Sequence, residues 1–291
     1  MVKSNLKEQK VIKKTDLKVV DNNAVKTTAY SDINLKKWRE YDHIKTDTLW
    51  EFPNRLKEGG HSNEYHGNYI PQIAQQIYER YTKKNDIVLD LFFGSGTSGI
   101  EAINMGRRCI GVELKDELAE SVSEKFTPKQ LVTDVNIICA DSASEIAKEK
   151  IKARLDIMGA KKAQLLMLHP PYDDIIKFSD KKEDLSNCAT TEEFYDLFEK
   201  VAKNGYDLLE KGRFACLIIG DKYANSQHIP LGFECMARMN KLGFITKAII
   251  IKDMQGNERA KGKTANLWRY RALAGGFYIF KHEYVMVFQK G

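Results

Sequence analysis

Short apolar segments alternate with segments of helical spacing along most of this chain, and this alternation restricts the fold more than any other feature. The apolar segments predict strands at 87–91, 108–114, 135–140, 165–168, 214–220, 244–251 and 284–289. Apolar residues on one helix face predict helices at 71–81, 97–105, 116–126, 144–157, 191–210 and 233–242. Strands separated by helices are typical of a mostly parallel sheet covered on both faces. We therefore predict an α/β fold with a seven-stranded sheet, whose last two strands pair antiparallel because no clear helix separates them.

Length, charge and cysteine usage limit the class of protein to which the chain can belong. The chain has 291 residues and a formal net charge of +6, which allows a polyanionic partner. We predict a basic, flexible arm at 1–35 and one domain at 36–291, with a basic and aromatic insertion at 252–281. The Lys-rich start lacks the apolar core of a secretory signal, and no run approaches the roughly 20 apolar residues of a membrane helix. The cysteines form no C-x-x-C pair and the histidines show no ligand spacing, which predicts reduced thiols and no metal site. Reduced thiols and the lack of a membrane segment together predict a cytoplasmic location without membrane contact.

A glycine-rich loop follows the first predicted strand and begins the next helix. Gly94-Ser95-Gly96-Thr97-Ser98-Gly99 has the spacing G-x-G-x-x-G, which in this setting indicates a nucleotide-type ligand at the carboxyl end of the sheet. Glycines let the backbone approach such a ligand closely, and backbone N–H groups point toward it. Two ligands compete at this point, a dinucleotide and S-adenosylmethionine.

Acidic residues stand near the ends of three successive strands. Asp90, just before the glycine loop, would repel a pyrophosphate but attract a sulfonium ligand with a free α-amino group. Glu113 is placed to accept hydrogen bonds from ribose hydroxyls, and Asp141 is placed to accept one from an adenine amino group. Together the three acids favour S-adenosylmethionine over a dinucleotide.

The fourth predicted strand ends in the tetrapeptide His169-Pro170-Pro171-Tyr172. The two prolines fix the backbone and remove donors, so the carbonyl of Pro170 is rigidly aimed. An imidazole, a rigid carbonyl and an aromatic ring directly after a buried strand predict a substrate site beside the cofactor.

These motifs resemble those of the S-adenosylmethionine-dependent amino-methyltransferases that modify adenine N6 or cytosine N4 in DNA. The resemblance covers roughly 50–290 and rests on the segments VLDLFFGSGTSGIEA, GVEL and HPPY. It implies a Rossmann-like methyltransferase sheet with S-adenosylmethionine as cofactor. The stretch at 66–73 resembles the family's flanking cofactor motif, through which Tyr69 would contact the cofactor.

The resemblance assigns roles residue by residue. The methionine part of the cofactor would contact Asp90, Phe92, Gly94, Ser95, Gly96 and Thr97, the ribose Glu113 and the adenine Asp141. The target base would contact His169, Pro170, Pro171 and Tyr172. His169 departs from the Asp, Ser or Asn that is usual in the family. A neutral imidazole can accept one hydrogen bond from an amino group, whereas a protonated one cannot.

Such a site implies direct methyl transfer to a base taken out of the duplex. The His169 ring nitrogen and the Pro170 carbonyl could hold both amino hydrogens and turn the lone pair toward the methyl donor, so positioning is the main catalytic effect. The amine is hidden in a base stack, so the base must flip out, and Tyr172 would stack on it. Candidates for nucleic-acid contact are Lys177, Arg259, Lys261, Lys263, Trp268, Arg269 and Arg271.

We therefore predict a site-specific DNA amino-methyltransferase acting on double-stranded DNA, with adenine N6 favoured over cytosine N4. An RNA base or protein-amide methyltransferase with the same core stays open. Asp90 and the tetrapeptide disfavour a further alternative, a nicotinamide-dependent Rossmann enzyme. A cognate restriction endonuclease is a candidate partner, and the sequence leaves the recognition site and the oligomeric state undetermined.

Overall fold

The computed structural model of the protein describes residues 27–61, 67–254 and 265–291. Ten strands are present in this part of the chain: β1 (Leu49–Trp50), β2 (Ile87–Asp90), β3 (Arg108–Glu113), β4 (Val135–Cys139), β5 (Ala163–Leu168), β6 (Leu209–Ile219), β7 (Lys222–Ala224), β8 (Gln227–Ile229), β9 (Phe244–Asp253) and β10 (His282–Lys290). The same residues form eight α-helices: α1 (Pro71–Tyr81), α2 (Thr97–Asn104), α3 (Asp116–Ser123), α4 (Pro128–Thr133), α5 (Glu145–Ile157), α6 (Thr191–Leu208), α7 (Leu231–Lys241) and α8 (Ala265–Gly275).

Eight of the described strands form one sheet in the order β1-β9-β10-β6-β5-β2-β3-β4. Neighbouring strands are parallel except that β10 pairs antiparallel with both β6 and β9. The predicted mostly parallel sheet with a final antiparallel pair is confirmed, but the predicted count of seven strands is one too low. The additional strand is β1, which pairs with β9 through two residues and is too short to show a periodicity in the sequence.

The order of the strands places a crevice between β2 and β5. From β2 the chain continues through β3 and β4 toward one edge of the sheet, and from β5 it continues through β6 toward the other. In open α/β sheets, ligands bind outside the carboxyl ends of the strands at such a reversal of order. The glycine loop follows β2 and the HPPY tetrapeptide follows β5, so both predicted motifs lie at this crevice.

Two apolar cores lie on opposite faces of the sheet. In β2, Ile87 and Leu89 belong to one core and Val88 to the other, because successive side chains of a strand point to opposite faces. The first core includes α5, α6 and α7, and the second includes α1, α2 and α3. Within the described ranges, no helix combines the length and apolar character needed to span a bilayer.

Several observed elements were not predicted. Helix α8 lies in the insertion at 252–281, where aromatic and basic residues alternate without the apolar stripe by which an amphipathic helix is recognised. Helix α4 begins at a capping box formed by Thr127 and Gln130, a local signal that the prediction missed. Strands β7 and β8 form a hairpin that turns through Asn225 and Ser226, whose φ angles are 51° and 60°.

Part of the predicted N-terminal arm packs against the domain. The ring of Tyr30 lies edge-on to Phe214 with 4.8 Å between centroids, and Ser31 is buried. Asp32 accepts a hydrogen bond of 2.7 Å from the backbone N–H of Lys84. Residues 1–26 lie outside the described residues, so the basic arm stays a prediction.

Candidate active site

A cavity of about 700 Å³ opens at the carboxyl ends of β2, β3 and β5, a volume typical of small-molecule sites. Most residues predicted to contact cofactor or base line its wall: Tyr69, Phe92, Gly94, Thr97, Glu113, Asp141, His169, Pro170, Pro171 and Tyr172. Three predicted residues, Asp90, Ser95 and Gly96, lie outside this lining. The structure therefore brings the glycine loop, two of the three acids and the tetrapeptide to one cavity.

The glycine loop is held by backbone contacts and by Glu113. Gly96 precedes α2 with a φ of +84°, a conformation that favours glycine, and a Cβ there would lie 2.7 Å from the Val122 side chain. The N–H of Gly94 donates to Glu113 Oε2 at 2.9 Å, and the N–H of Lys115 donates to Oε1 at 3.0 Å. Burial raises the pKa of Glu113, and these N–H groups oppose that rise. Glu113 therefore joins the loop to the end of β3.

The structure places Asp90 outside the cavity lining, and its predicted contact with the cofactor stays a prediction. Its carboxylate is buried, accepts a 2.9 Å hydrogen bond from the N–H of Phe92 and accepts another from the hydroxyl of Ser98. The Tyr69 hydroxyl contacts the same Ser98 hydroxyl, so a hydrogen-bonded chain links the wall of the cavity to Asp90. Burial raises the pKa of Asp90 to about 6. In this arrangement Asp90 holds the loop and helix α2 in place, and its carboxylate does not reach the cavity wall.

Two further polar groups of the cavity are available to a ligand. Asp141 follows β4, accepts a 2.9 Å hydrogen bond from the N–H of Ala143, and has its pKa raised by burial. Asn68 lies next to Tyr69, and its Nδ2 is buried without a hydrogen-bond partner among the described residues. Because an unpaired buried donor is costly, Asn68 indicates a place for an acceptor group of a ligand.

The tetrapeptide continues into a polar network that ends at the buried side chains of Glu283 and Lys252. His169 Nε2 lies 3.3 Å from the Tyr172 hydroxyl, which donates to Glu283 Oε2 at 2.8 Å. Glu283 Oε1 forms an ion pair of 2.9 Å with Lys252 Nζ. A Cβ at Gly220 would lie 2.9 Å from the Tyr172 ring, so the tyrosine packs against the backbone there. The side chains of His169 and Tyr172 are therefore held by contacts outside the tetrapeptide.

His169 is uncharged at neutral pH. Burial lowers its pKa to about 4, Glu283 opposes this shift, and Lys252 and Arg55 add to it. A neutral imidazole has one nitrogen that accepts a hydrogen bond. His169 can therefore accept a hydrogen bond from an amino group, as expected for its neutral form.

Sequence reasoning missed Lys252 and Glu283, although both line the cavity. Lys252 is 2% exposed and Glu283 is 7% exposed, and the two face each other in the antiparallel register of β9 and β10. The available signal was a lysine and a glutamate at the adjoining ends of two predicted antiparallel strands. The apolar run ends just before Lys252, so the sequence pattern places this lysine in the insertion.

The insertion starts and ends at the cavity. Met254 lines the cavity beside Lys252, and its N–H donates to the Lys281 carbonyl at 2.8 Å. Phe277, just after α8, stacks on Tyr223 with 4.6 Å between ring centroids. The insertion is therefore anchored at the rim of the cavity and against the β7–β8 hairpin.

Four of the seven predicted nucleic-acid contacts lie in the described part of the chain, on α8 and on the segment after the tetrapeptide. In α8, Arg269 and Arg271 are exposed, and the Arg271 guanidinium lies 5.4 Å from the Trp268 ring centroid. Lys177 is exposed beside Ile176 and Phe178, which line the cavity, and it pairs with Asp180 at 2.8 Å. The other three candidates, Arg259, Lys261 and Lys263, lie outside the described residues.

A family model described as DNA methylase, of the N6/N4 type, matches residues 3–124 and 163–291, which is most of the chain. The chain belongs to this family. The prediction of a methyltransferase with S-adenosylmethionine as cofactor is therefore confirmed at the level of the family, and the nicotinamide alternative is not supported. Asp141 lies between the two matched segments, and the roles of single residues at the cofactor and the base stay predictions.

Three curated relatives match shorter parts of the chain. The probable type III restriction-modification enzyme HindVI Mod subunit of Haemophilus influenzae is 34% identical over 33% of this chain and 13% of its own length. The type II methyltransferase M.MjaII of Methanocaldococcus jannaschii is 31% identical over 27% of this chain and 16% of its own length. The DNA adenine methyltransferase YhdJ of Escherichia coli is 32% identical over 38% of this chain and 35% of its own length. Each match thus spans 35% or less of the relative's own length.

Proposed function

We propose that this chain transfers a methyl group from S-adenosylmethionine to an exocyclic amine of a base in double-stranded DNA, with adenine N6 favoured over cytosine N4. The observation that carries the proposal is an uncharged His169 next to the rigid Pro170 carbonyl, in the same cavity as the glycine loop. Adenine is favoured because the Escherichia coli relative is named a DNA adenine methyltransferase.

The described residues fit S-adenosylmethionine. The buried Nδ2 of Asn68 offers a donor to the methionine carboxylate, Glu113 offers acceptors to ribose hydroxyls, and Asp141 offers one to the adenine amino group. Gly94 has no side chain and lets the loop line the cavity closely, and Thr97 lines it at the start of α2. When bound, the cofactor supplies the methyl group.

The tetrapeptide would hold and orient the target amine. The unprotonated nitrogen of His169 and the carbonyl of Pro170 are two acceptors for the two amino hydrogens, which turns the nitrogen lone pair out of conjugation with the ring. The Tyr172 ring, held by Gly220 and by its hydroxyl contact to Glu283, is a fixed surface on which the base can stack. Catalysis then consists chiefly of positioning, which requires no covalent enzyme intermediate.

Helix α8 and the segment after the tetrapeptide would hold the duplex while the base is flipped. Helix α8 presents Arg269 and Arg271, which can pair with phosphates, beside the aromatic ring of Trp268. Lys177 adds a cation on the segment after the tetrapeptide. A restriction endonuclease is a proposed functional partner, because one relative is named as part of a restriction-modification enzyme.

The proposal is tested by incubating the protein with S-adenosylmethionine and unmodified duplex DNA, followed by digestion and mass spectrometry of the nucleosides. We expect N6-methyldeoxyadenosine. N4-methyldeoxycytidine would overturn the preference for adenine and keep the amine reaction. No modified nucleoside, with cofactor binding shown by calorimetry, would overturn DNA as the substrate and direct the search to RNA or protein.

The His169→Ala variant tests the role of the tetrapeptide. We expect the methylation rate to fall by at least about 100-fold, because the amine loses one of its two acceptors, while cofactor affinity is retained. His43→Ala is the matched control, since this histidine is exposed and does not line the cavity. Loss of cofactor binding in His169→Ala with an intact fold would count against the assignment.

A further inference from the structure

The Tyr172 hydroxyl has one hydrogen, and its neighbours decide where that hydrogen goes. Glu283 accepts it at 2.8 Å, and a carboxylate can only accept. The second oxygen of Glu283 is paired with the Lys252 ammonium at 2.9 Å, which keeps the carboxylate in its charged form. The Tyr172 oxygen must then be the acceptor toward its other neighbour, His169.

This arrangement determines which nitrogen of His169 carries the proton. His169 Nε2 lies 3.3 Å from the Tyr172 oxygen, and only an N–H at that position satisfies an oxygen whose own hydrogen is already donated. The imidazole is neutral, so a proton on Nε2 leaves Nδ1 as the acceptor. The other tautomer would place two lone pairs against each other.

We propose that Glu283 is a positioning residue that sets the tautomer of His169 through Tyr172, so that Nδ1 is the nitrogen that accepts a hydrogen from the target amine. This inference rests on the proposed function for the amine, but the tautomer itself can be measured without any substrate. Lys252 acts with Glu283, because it both holds the carboxylate and keeps it charged.

The substitution Glu283→Gln reverses the direction of the chain of hydrogen bonds. Lys252 has only donors, so it draws the amide oxygen of the new side chain and turns the NH₂ group toward Tyr172. The Tyr172 oxygen then accepts from the amide, and its hydrogen is directed to His169 Nε2. The proton of the imidazole moves to Nδ1, which can no longer accept.

The experiment uses the full chain labelled with ¹⁵N-histidine, with the His169 signals assigned by comparison with His169→Gln. We expect wild-type chemical shifts of a neutral ring protonated on Nε2, and shifts of a ring protonated on Nδ1 in Glu283→Gln. With cofactor and DNA, we expect kcat of Glu283→Gln to fall about 100-fold. The affinity for S-adenosylmethionine should stay within about 2-fold of wild type, because the substitution changes the base side of the cavity.

Glu101→Gln is the matched control. Glu101 is also buried and also contacts a histidine, His61, at 2.6 Å, but it does not line the cavity. Neutralising it should leave the His169 shifts and kcat unchanged, so a general effect of removing a buried carboxylate is separated from the tautomer effect.

Tyr172→Phe serves if Glu283→Gln does not fold. It removes only the hydroxyl that connects Glu283 to His169, and we expect the His169 shifts to become those of a mixture of both tautomers. If Glu283→Gln does fold, the double variant Glu283→Gln with Tyr172→Phe should lose little more kcat than either single variant, because both substitutions break the same connection. A wild-type ring protonated on Nδ1, or a Glu283→Gln ring still protonated on Nε2, overturns the inference. The expected shifts in a protein that methylates no DNA would support the tautomer set by Glu283 and overturn the proposed function, and with it the contact of Nδ1 with a target amine.

Discussion

His169 and Asp90 show how burial sets the charge of single residues at this site. Both lie near the carboxyl edge of the sheet, and desolvation is the largest effect on the pKa of each. The same physical cause acts in opposite directions, because the charged form of histidine is the protonated one and the charged form of aspartate is the deprotonated one. Both shifts favour the neutral side chain, which affects stability in opposite ways as pH changes.

The His169→Gln variant should change the pH dependence of unfolding in one direction. The folded pKa of His169 is about 4 against an ordinary value of 6.5, so its contribution to stability is present above 6.5 and is lost as pH falls through 4. The variant lacks this loss. Between pH 7 and pH 4 we expect its free energy of unfolding to rise relative to wild type by up to about 3 kcal/mol, measured by denaturant titration. A constant difference across this range would contradict an uncharged His169 in the folded chain.

The Asp90→Asn variant should change the pH dependence of unfolding in the opposite direction. The folded pKa of Asp90 is about 6 against an ordinary value of 3.8, so its contribution is present below 3.8 and is lost as pH rises through 6. As pH rises from 4 to 7, the free energy of unfolding of the variant should therefore increase relative to wild type by up to about 3 kcal/mol. If the free energies of unfolding of both variants, relative to wild type, changed in the same direction with pH, burial would not be the cause of both pKa shifts.

At the scale of elements, helix α8 differs from the helices of the two cores in having no apolar face. Tyr270 is 69% exposed and Leu273 is 72% exposed, while the helices of the two cores bury an apolar stripe against the sheet. The helix stands in a segment anchored on both sides at the cavity. An element placed there, with cations and aromatics on its surface, suits contact with a polyanion rather than packing.

Replacing Arg269 and Arg271 by Ala should weaken DNA binding and flatten its salt dependence. If each arginine neutralises one phosphate, the slope of log K against log salt falls in magnitude by about 1.8, measured by fluorescence anisotropy at several salt concentrations. Lys152→Ala with Arg154→Ala is the matched control. It removes the same charge from the later part of α5, which runs from the carboxyl edge of the sheet, where the cavity lies, toward the amino edge. An equal change of slope in both double variants would remove α8 from the contact surface.

For the whole molecule, the sheet order matters because it brings three distant parts of the chain to one cavity. The loops after β2 and β5 meet where the order of strands reverses, and β10, inserted antiparallel between β6 and β9, adds Glu283. A ligand bound there contacts both halves of the sheet. Its binding should therefore stabilise the fold as a unit.

S-adenosylmethionine should raise the melting temperature, whereas NAD⁺ should not. A ligand that binds only the folded chain, at a concentration 100 times its dissociation constant, adds about 2.7 kcal/mol to the free energy of unfolding. The comparison is made by differential scanning fluorimetry over a series of ligand concentrations. A shift with NAD⁺ and none with S-adenosylmethionine would contradict the identity of the cofactor.

Elements with a clear apolar pattern were predicted closely, whereas elements without one and strand ends that depend on pairing were not. Helix α1 has the predicted bounds, because its apolar spacing and the proline at its start are local signals. Strand β6 begins at Leu209 rather than at 214, since pairing of Leu209 with Ala163 extends the strand through a polar stretch that interrupts the apolar pattern. Helix α8 was missed because it has no apolar stripe.

The sequence by itself determined the alternation of strands and helices, the glycine loop and the position of the tetrapeptide, because periodicity and turn chemistry depend on neighbours along the chain. Only the tertiary structure decided that Asp90 points into the loop, that Lys252 faces Glu283 across β9 and β10, and that His169 is uncharged. These properties depend on desolvation and on partners far away in sequence. Tyr172 and Glu283 become neighbours only when β10 enters the sheet beside β6, and that contact sets the hydrogen bonds of the candidate active site.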